Sequence, residues 1–405
     1  MGMRMSDSHL PIHWEFRSVN DVVTDTAGGF GFPKNFQGRR DLPFPFVKVS
    51  DMNLPGNETY ITTAENFVDD MILDEIRAKT YPPSTIVFPK IGGAIATNKK
   101  RILGVEATFD NNVMAIVPNE QKALTKWIFY YLQSIDLMKL ANSGPVPSIR
   151  QSTVQALTIP IPYPHDPARS LDTQRRIVAR IEALLSEVRD MRALNAKLMA
   201  DAENLYRAIV FNRSEWTPTY IPIQEFVSRI FPNVDVEDNE EYSFAGVKSF
   251  GRGVFPGKRI LGSETSYRQL TRIRTGHFIY PKLMAWEGAL GMVPPECDGY
   301  VVSPEYPVFE VDESKVLPEV LDVYFRTPSV WPRLAELSTG TNARRRRLNP
   351  EVLLTYEVPI PPMSVQIQLR KAKNEFGNLR EIKETDQLLN TLEASILNQA
   401  FRGEL

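Results

Sequence analysis

The chain has 405 residues, of which 42% are hydrophobic and 24% charged, and its formal net charge is −2. That length exceeds one ordinary core, so two to four units are expected, and the near-neutral charge excludes a polycation, so a nucleic-acid partner has to be argued from local clusters. Cys297 is the only cysteine, which excludes an internal disulfide and a thiolate zinc site and fits a reducing compartment.

No apolar run approaches the roughly 18–20 residues that a bilayer crossing needs. The start "MGMRMSDSHLPIHWEF" has no apolar core of the kind a secretory signal carries, so a cytoplasmic protein is expected. Up to residue 165 the chain reads as short strands broken by proline and glycine. "IVFPKIGGAIA" at 86–96 is a strand that reaches Pro89 and Lys90 and then a glycine turn. A short helix over "TKWIFYYLQSIDLMKLA", the polar loop "NSGPVPSIRQ" and the segment "STVQALTIPIP" complete this region.

Between Pro167 and Pro218 proline and glycine vanish. Ile177, Ile181, Leu184, Val188, Met191, Leu198, Leu205 and Ile209 recur there at steps of three and four, with Asn195 and Ala202 completing about five heptads of one helix. The acidic run "VDVEDNEE" that follows at 234–241 is read as a solvated loop. "FIYPKLMAWEGALG" at 278–291 then repeats the earlier strand, with Tyr280, Pro281 and Lys282 matching Phe88, Pro89 and Lys90.

The same order of elements returns: a helix in "PEVLDVYFRTPSVWPRLAEL", the basic loop "STGTNARRRRLN", and "PEVLLTYEVPIP". A second helix ends the chain, with Leu369, Ala372, Phe376, Leu379, Ile382, Leu389, Leu392 and Ile396 on its stripe and Gly377 as its weak point. The chain is thus a duplication of a large unit. The expected fold is α+β, two similar globular domains at 1–165 and 214–362 alternating with long helices at 166–213 and 363–405.

Few motifs speak for catalysis. "GRGVFPGKR" at 251–259 lacks the first glycine and the hydroxyl of a phosphate-binding loop, and "TAGGFGF" at 26–32 lacks dinucleotide-binding spacing. "NPEV" at 349–352 lacks the second proline and the aromatic of the adenine-methylating tetrapeptide. His9, His13, His165 and His277 show no metal-binding spacing.

Basic and polar turns remain. Arg344, Arg345, Arg346 and Arg347 are consecutive and follow Thr341 and Asn342, while Lys99, Lys100 and Arg101 follow Asn98. Guanidinium forks bind phosphate and read guanine edges, and neighbouring Thr and Asn serve phosphate and adenine. Lys90, Arg150, Gln151 and Lys282, on the matched strand ends and the first polar loop, join these as candidate DNA contacts. A solvated loop is the plainer alternative for each cluster.

"IPIPYP" with "QRRIVARIEALLSEV", "VPIPP", and the ending "LEASILNQAFRGEL" resemble the specificity subunit of Type I restriction-modification enzymes, and the resemblance extends over essentially the whole chain. The family's Pro-Pro-x-x-Glu-Gln junction is imperfect here, interrupted before Gln174 and lacking its Glu in "SVQIQ". The resemblance implies two target-recognition domains, each reading half of a split, asymmetric double-stranded DNA site, with the helices paired as an antiparallel coiled coil that serves as a ruler. About 40 helical residues span ~60 Å, enough for readers one or more DNA turns of ~34 Å apart.

It further implies that this chain binds no cofactor. S-adenosylmethionine would sit on two modification subunits and ATP with magnesium on restriction subunits, docked near Arg175, Arg176, Arg180 and Glu182. Rival readings are a single-chain methyltransferase or nuclease with an unseen catalytic site, and a coiled-coil interaction protein that never touches DNA.

Overall fold

The structure, a computed structural model, describes residues 10–212, 214, 216–340, 346–377 and 380–405, except for the side chains of 377 and 380–386. It mixes helices and strands as the sequence predicts, but its two compact units do not follow the linear order of segments. One unit holds Met1–Arg192 with Thr385–Leu405, and the other holds Ala193–Glu384. Each unit therefore takes one globular domain and a stretch of both long helices.

In unit 1 a five-stranded sheet runs in the order Val23–Gly28, Val113–Pro118, Ile86–Pro89, Arg101–Leu103, Tyr60–Ile61. A three-stranded sheet lies in the order Phe67–Val68, Phe44–Val47, Thr108–Phe109. Unit 2 has a four-stranded sheet, Val227–Ile230, Val308–Val311, Phe278–Ile279, Gly291–Met292, and a five-stranded one that ends on the strands Glu241–Lys248 and Gly253–Leu261.

Each "PIP" phrase closes its domain on the domain's own first strand. Thr158–Pro162 pairs antiparallel with Trp14–Ser18, and Glu357–Ile360 pairs antiparallel with Thr219–Pro222. These two-stranded ribbons tolerate proline, which lacks the N–H a central strand would need. Ile159, Ile161, Val358 and Ile360 are buried, and the Trp127 indole N–H donates to the Pro160 carbonyl at 3.0 Å. The chain thus leaves each domain beside the point where it began, pinned by alternating aliphatic side chains.

The central helix spans Pro167–Phe211. In unit 1 Ile177 and Ile181 pack with Leu397 and Phe401, and Val188 packs with Leu389 and Ile396, so rising numbers on one helix meet falling numbers on the other. Arg192 donates to Glu393 Oε1 at 2.7 Å and to Asn390 Oδ1 at 2.6 Å. In unit 2 Tyr206 stacks edge-on to Phe376 at 6.4 Å, and Ala202 and Val210 join Leu369 in the core. The helices are antiparallel within each unit.

The heptad series holds in its first half only. Met191, Leu198 and Leu205, expected in the seam, are exposed, and the buried set becomes Ala202, Tyr206 and Val210 at steps of four. Each step of four turns the buried face by about 40° past a full turn, so the sequence stripe and the packed stripe part company. The closing helix forms as Met363–Gly377 and Arg380–Phe401, with the expected seam residue Leu379 and the Ile382 side chain outside the described residues. Leu392, also placed on the stripe, is exposed.

One polar contact recurs in both units. Gln174, in the first turns of the central helix, accepts from the Leu124 N–H at 2.9 Å and donates to the Lys122 carbonyl at 3.3 Å. Gln366 accepts from the Leu317 N–H at 2.7 Å and donates to the Lys315 carbonyl at 3.3 Å and the Pro361 carbonyl at 2.9 Å. Leu124 and Leu317 are the N-caps of the domain helices Thr125–Gln133 and Pro318–Arg326, and leucine has no side chain with which to cap. The long helix supplies the missing cap from outside.

Charge reinforces this junction with opposite polarity in the two units. Lys126 of the first domain helix pairs with Glu182 at 2.6 Å. In the second, Glu319 holds Arg370 at 2.8 Å and Asp322 meets Lys373 at 2.5 Å. Burial alone would raise the Asp322 carboxyl, yet Lys373 and Arg326 outweigh it and hold the group below its usual range.

Gln366→Leu leaves the Leu317 N–H and two carbonyls buried without their partner, which costs roughly 2–4 kcal/mol. Hydrogen exchange of the helix Pro318–Arg326 should speed by the corresponding factor, and unchanged protection would show that the latch contributes nothing.

Candidate nucleic-acid interface

The matched lysines hold equivalent positions. The Lys90 carbonyl accepts from the Ile149 N–H at 2.9 Å, and the Lys282 carbonyl accepts from the Leu348 N–H at 2.9 Å. In each unit one backbone bond ties the end of a strand to the end of the polar or basic loop that the sequence marks. Bridges between Ile91 and Ser148, and between Thr339 and Arg347, extend the clasp.

On unit 1 this assembles Lys90, Arg150 and Gln151. Arg150 and Gln151 are exposed and Lys90 is half-buried. Gln151 Nε2 donates to the Thr26 carbonyl at 2.5 Å, and the Lys90 ammonium lies so close to Gly28 that a Cβ there would meet it at 2.4 Å. Both side chains therefore lie along the strand Val23–Gly28. Arg150 has no carboxylate within bonding distance among the described residues, so its charge is available to an anion.

The Asn98–Arg101 cluster is not such a surface. Lys100 is fully buried and donates to Asn98 Oδ1 and the Ile135 carbonyl, both at 2.7 Å. Asn98, in a left-handed conformation at the end of a 3-10 turn, also accepts from the Leu137 N–H at 2.9 Å. Arg101 donates to the Lys100 and Met52 carbonyls at 2.8 and 3.1 Å, and burial lowers its pKa. These three are structural, a correction to the sequence expectation. Lys99 stays half-exposed, with its ammonium on the Asn53 amide oxygen.

On unit 2 the charges divide in a similar way. Glu305 takes Arg347 at 2.6 Å and stands 3.9 Å from Lys282, whose ammonium also donates to the Pro304 carbonyl at 3.0 Å. Lys282 and Arg347 thus both face the Glu305 carboxylate within the domain. Arg346 lies over the Trp286 ring at 5.9 Å. Thr341, Asn342, Arg344 and Arg345 lie outside the described residues.

Sequence reading missed Glu305 and Trp286. The only signal available was that "LMAWEG" carries a bulky aromatic where the first copy has "IGGAIA".

Of the four expected docking residues, Arg175, Arg176 and Arg180 are exposed. Glu182 is not free: it holds Lys126 and accepts from the Tyr130 hydroxyl at 3.3 Å, so it fastens the helix to its own domain.

A model of the "Type I restriction modification DNA specificity domain" matches residues 11–199. The resemblance read from the sequence is borne out by this match. A chain from a structure described by the complex assembly and conformational transition of a type I R-M system is similar in fold. It has a TM-score of 0.62 and 18% identity over 98% of this chain and 99% of that one.

The HsdS subunit from Thermoanaerobacter tengcongensis gives a TM-score of 0.49 at 18% identity, covering 100% of both chains. The S subunit from M. genitalium gives 0.49 at 11% identity, covering 99% of each. No curated protein matches the chain. No described helix is long and apolar enough to cross a membrane.

Within the specificity domain Lys100 gives a clean test of which cations face inward. Burial lowers its pKa to about 8 from the usual 10.5, with Asp136 opposing weakly. Between those values the unfolded chain keeps a proton that the folded one lacks, so Lys100 makes stability rise with pH from 8 upward. Lys100→Met should flatten this rise between about pH 8 and 10 in chemical denaturation, while DNA affinity and its salt dependence stay as in the wild type. A weakened salt dependence would return Lys100 to the interface.

Proposed function

We propose that the chain is the DNA-specificity subunit of a Type I restriction-modification complex, in which each unit reads one half of a bipartite, asymmetric site in double-stranded DNA. The observation that carries this reading is the clasp found once per unit, a strand-end lysine holding a polar or basic loop. A duplicated clasp fits two readers of similar build and different loops, which is what two unlike half-sites require.

Lys90, Lys99, Arg150 and Gln151 serve the first half-site. Arg346, with Thr341, Asn342, Arg344 and Arg345 of the same loop, serves the second. Cations at phosphates fix the register, and amide and guanidinium groups at base edges supply discrimination of about 1–3 kcal/mol per bidentate pair.

Catalysis belongs to partners in this reading. Two modification subunits carry S-adenosylmethionine, restriction subunits carry ATP and magnesium, and this chain aligns them without chemistry of its own. Support for the scaffold role comes from the helices, where Leu194 is 67% exposed and Leu388 66%. Apolar side chains left in water at that level suit a protein partner, and the exposed Arg175, Arg176 and Arg180 add polar contacts at the rim. The continuous helix Pro167–Phe211 suits a spacer between half-sites.

Sequencing methylated adenines in cells that express the complex should reveal one split motif with a fixed gap. Alanine at Arg344, Arg345 and Arg346, leaving Arg347 on Glu305, should relax or abolish one half of that motif while the subunits still co-purify. Deleting the heptad Leu184–Asp190 should alter the gap or prevent assembly. An unaltered motif in all three proteins would sink the proposal.

A further inference from the structure

The motif "GRGVFPGKR", dismissed as a phosphate loop, lies in a hairpin. In unit 2 the strands Glu241–Lys248 and Gly253–Leu261 form a two-stranded ribbon at the edge of the five-stranded sheet, joined by a turn through Phe250 and Arg252. The ribbon carries Lys248, Arg252, Lys258 and Arg259, all exposed, against one carboxylate, Glu241 at its root, which stands 3.9 Å from Arg259.

At the turn Phe250 is 58% exposed and has φ of +62°. A bulky aromatic enters the left-handed region only when its surroundings hold it there. The restraints are visible. The Phe250 N–H donates to the Glu287 carbonyl at 2.9 Å, and the Gly251 N–H donates to the Gly288 carbonyl at 3.1 Å. Arg326 Nε donates to the Gly251 carbonyl at 2.8 Å, and the Ser249 hydroxyl donates to the Glu287 carboxylate at 2.5 Å.

A turn tied down by three bonds to its backbone and one side-chain bond thus holds a largely exposed aromatic ring, with the Trp331 ring 6.2 Å away. The same 3-10 turn that anchors it, Ala285–Glu287, carries Trp286, over which Arg346 lies. Phe250 and the arginine loop therefore share one mount, and Arg252 adds a guanidinium 6.0 Å from the Phe250 ring.

We propose that this hairpin enters the major groove of the half-site read by unit 2, where Phe250 packs on a thymine 5-methyl group and Lys258 and Arg259 hold flanking phosphates. This rests on the DNA-reading function proposed above. The major groove admits a two-stranded ribbon, and thymine's methyl is the one apolar feature among the base edges there, so an exposed apolar ring at the tip of a basic ribbon has a matching ligand.

The test uses the full chain with its modification subunits and a duplex bearing its own methylated motif. Phe250→Gly suits the left-handed backbone and removes only the ring, so thermal melting should stay within a few degrees of the wild type. Duplex affinity should fall about tenfold. Replacing thymine by uracil at one position of the half-site should weaken the wild type by a similar factor, and should weaken Phe250→Gly no further.

Lys258→Gln with Arg259→Gln should reduce the salt slope of binding by about 2, from ~0.9 per phosphate contact. Phe250→Gly binding as tightly as the wild type, or retaining the full thymine-to-uracil penalty, overturns this inference alone. A wild-type complex with no preference for its motif overturns the function as well.

Discussion

The buried glutamine at the start of each long helix is the contact on which the arrangement of each unit depends. A helix begins with N–H groups that no preceding turn can satisfy, and the domain helices begin on Leu124 and Leu317, which offer nothing of their own. Gln174 and Gln366 close that deficit from a different element. A buried amide cannot rotate away without stranding its partners, so the tilt of domain helix against long helix is fixed by hydrogen-bond geometry, with aliphatic packing filling in around it. The flanking ion pairs, Lys126 to Glu182 and Glu319 to Arg370, differ in sign between the units, whereas the glutamine bond is the same. The polar latch is the invariant part of the duplication, and the charges are local variations on it.

This also explains why unit 1 is built from distant segments. Because the latch lies where a domain's last strand hands over to its helix, each domain is committed to the helix that follows it. The antiparallel partner is then the other long helix: Leu397 and Phe401, from the end of the chain, complete the core around Trp127 and Ile181 in unit 1, and Tyr206 and Val210, just before the second domain, complete that around Leu369 in unit 2.

Much of this was legible in the sequence because it is carried by local chemistry. Proline and glycine both break a long helix, so the stretch free of them marked the central helix to within two residues at each end. The matched Pro-Lys pairs likewise marked equivalent clasps. What the sequence hid was which cations are already spent. Lys99 and Lys100 are neighbours in a basic run, yet one reaches the surface and the other is sealed beneath Ile135. The deciding partner is a carbonyl far along the chain, and no local pattern encodes it. Glu182 misled in the same way, since its partner Lys126 belongs to an earlier element.

The hidden pairings matter for a protein whose formal charge is only −2. At physiological salt, fields between exposed charges fade within about 8 Å, so a polyanion responds to the nearest few groups and not to the total. Glu305 absorbs Arg347 and stands near Lys282 in one place, while the ribbon of Glu241–Lys248 and Gly253–Leu261 keeps four cations against one carboxylate, Glu241. The acidic run that precedes the ribbon meets its far end, where the Gly262 and Ser263 N–H groups bond the carbonyls of Glu240 and Asp238. Lys248 and Arg252 lie at the Phe250 turn, while Lys258 and Arg259 lie toward the root, where Glu241 stands 3.9 Å from Arg259. Near-neutrality overall and strong local polarity are compatible for this reason: the field a polyanion meets is set by the few charges nearest to it.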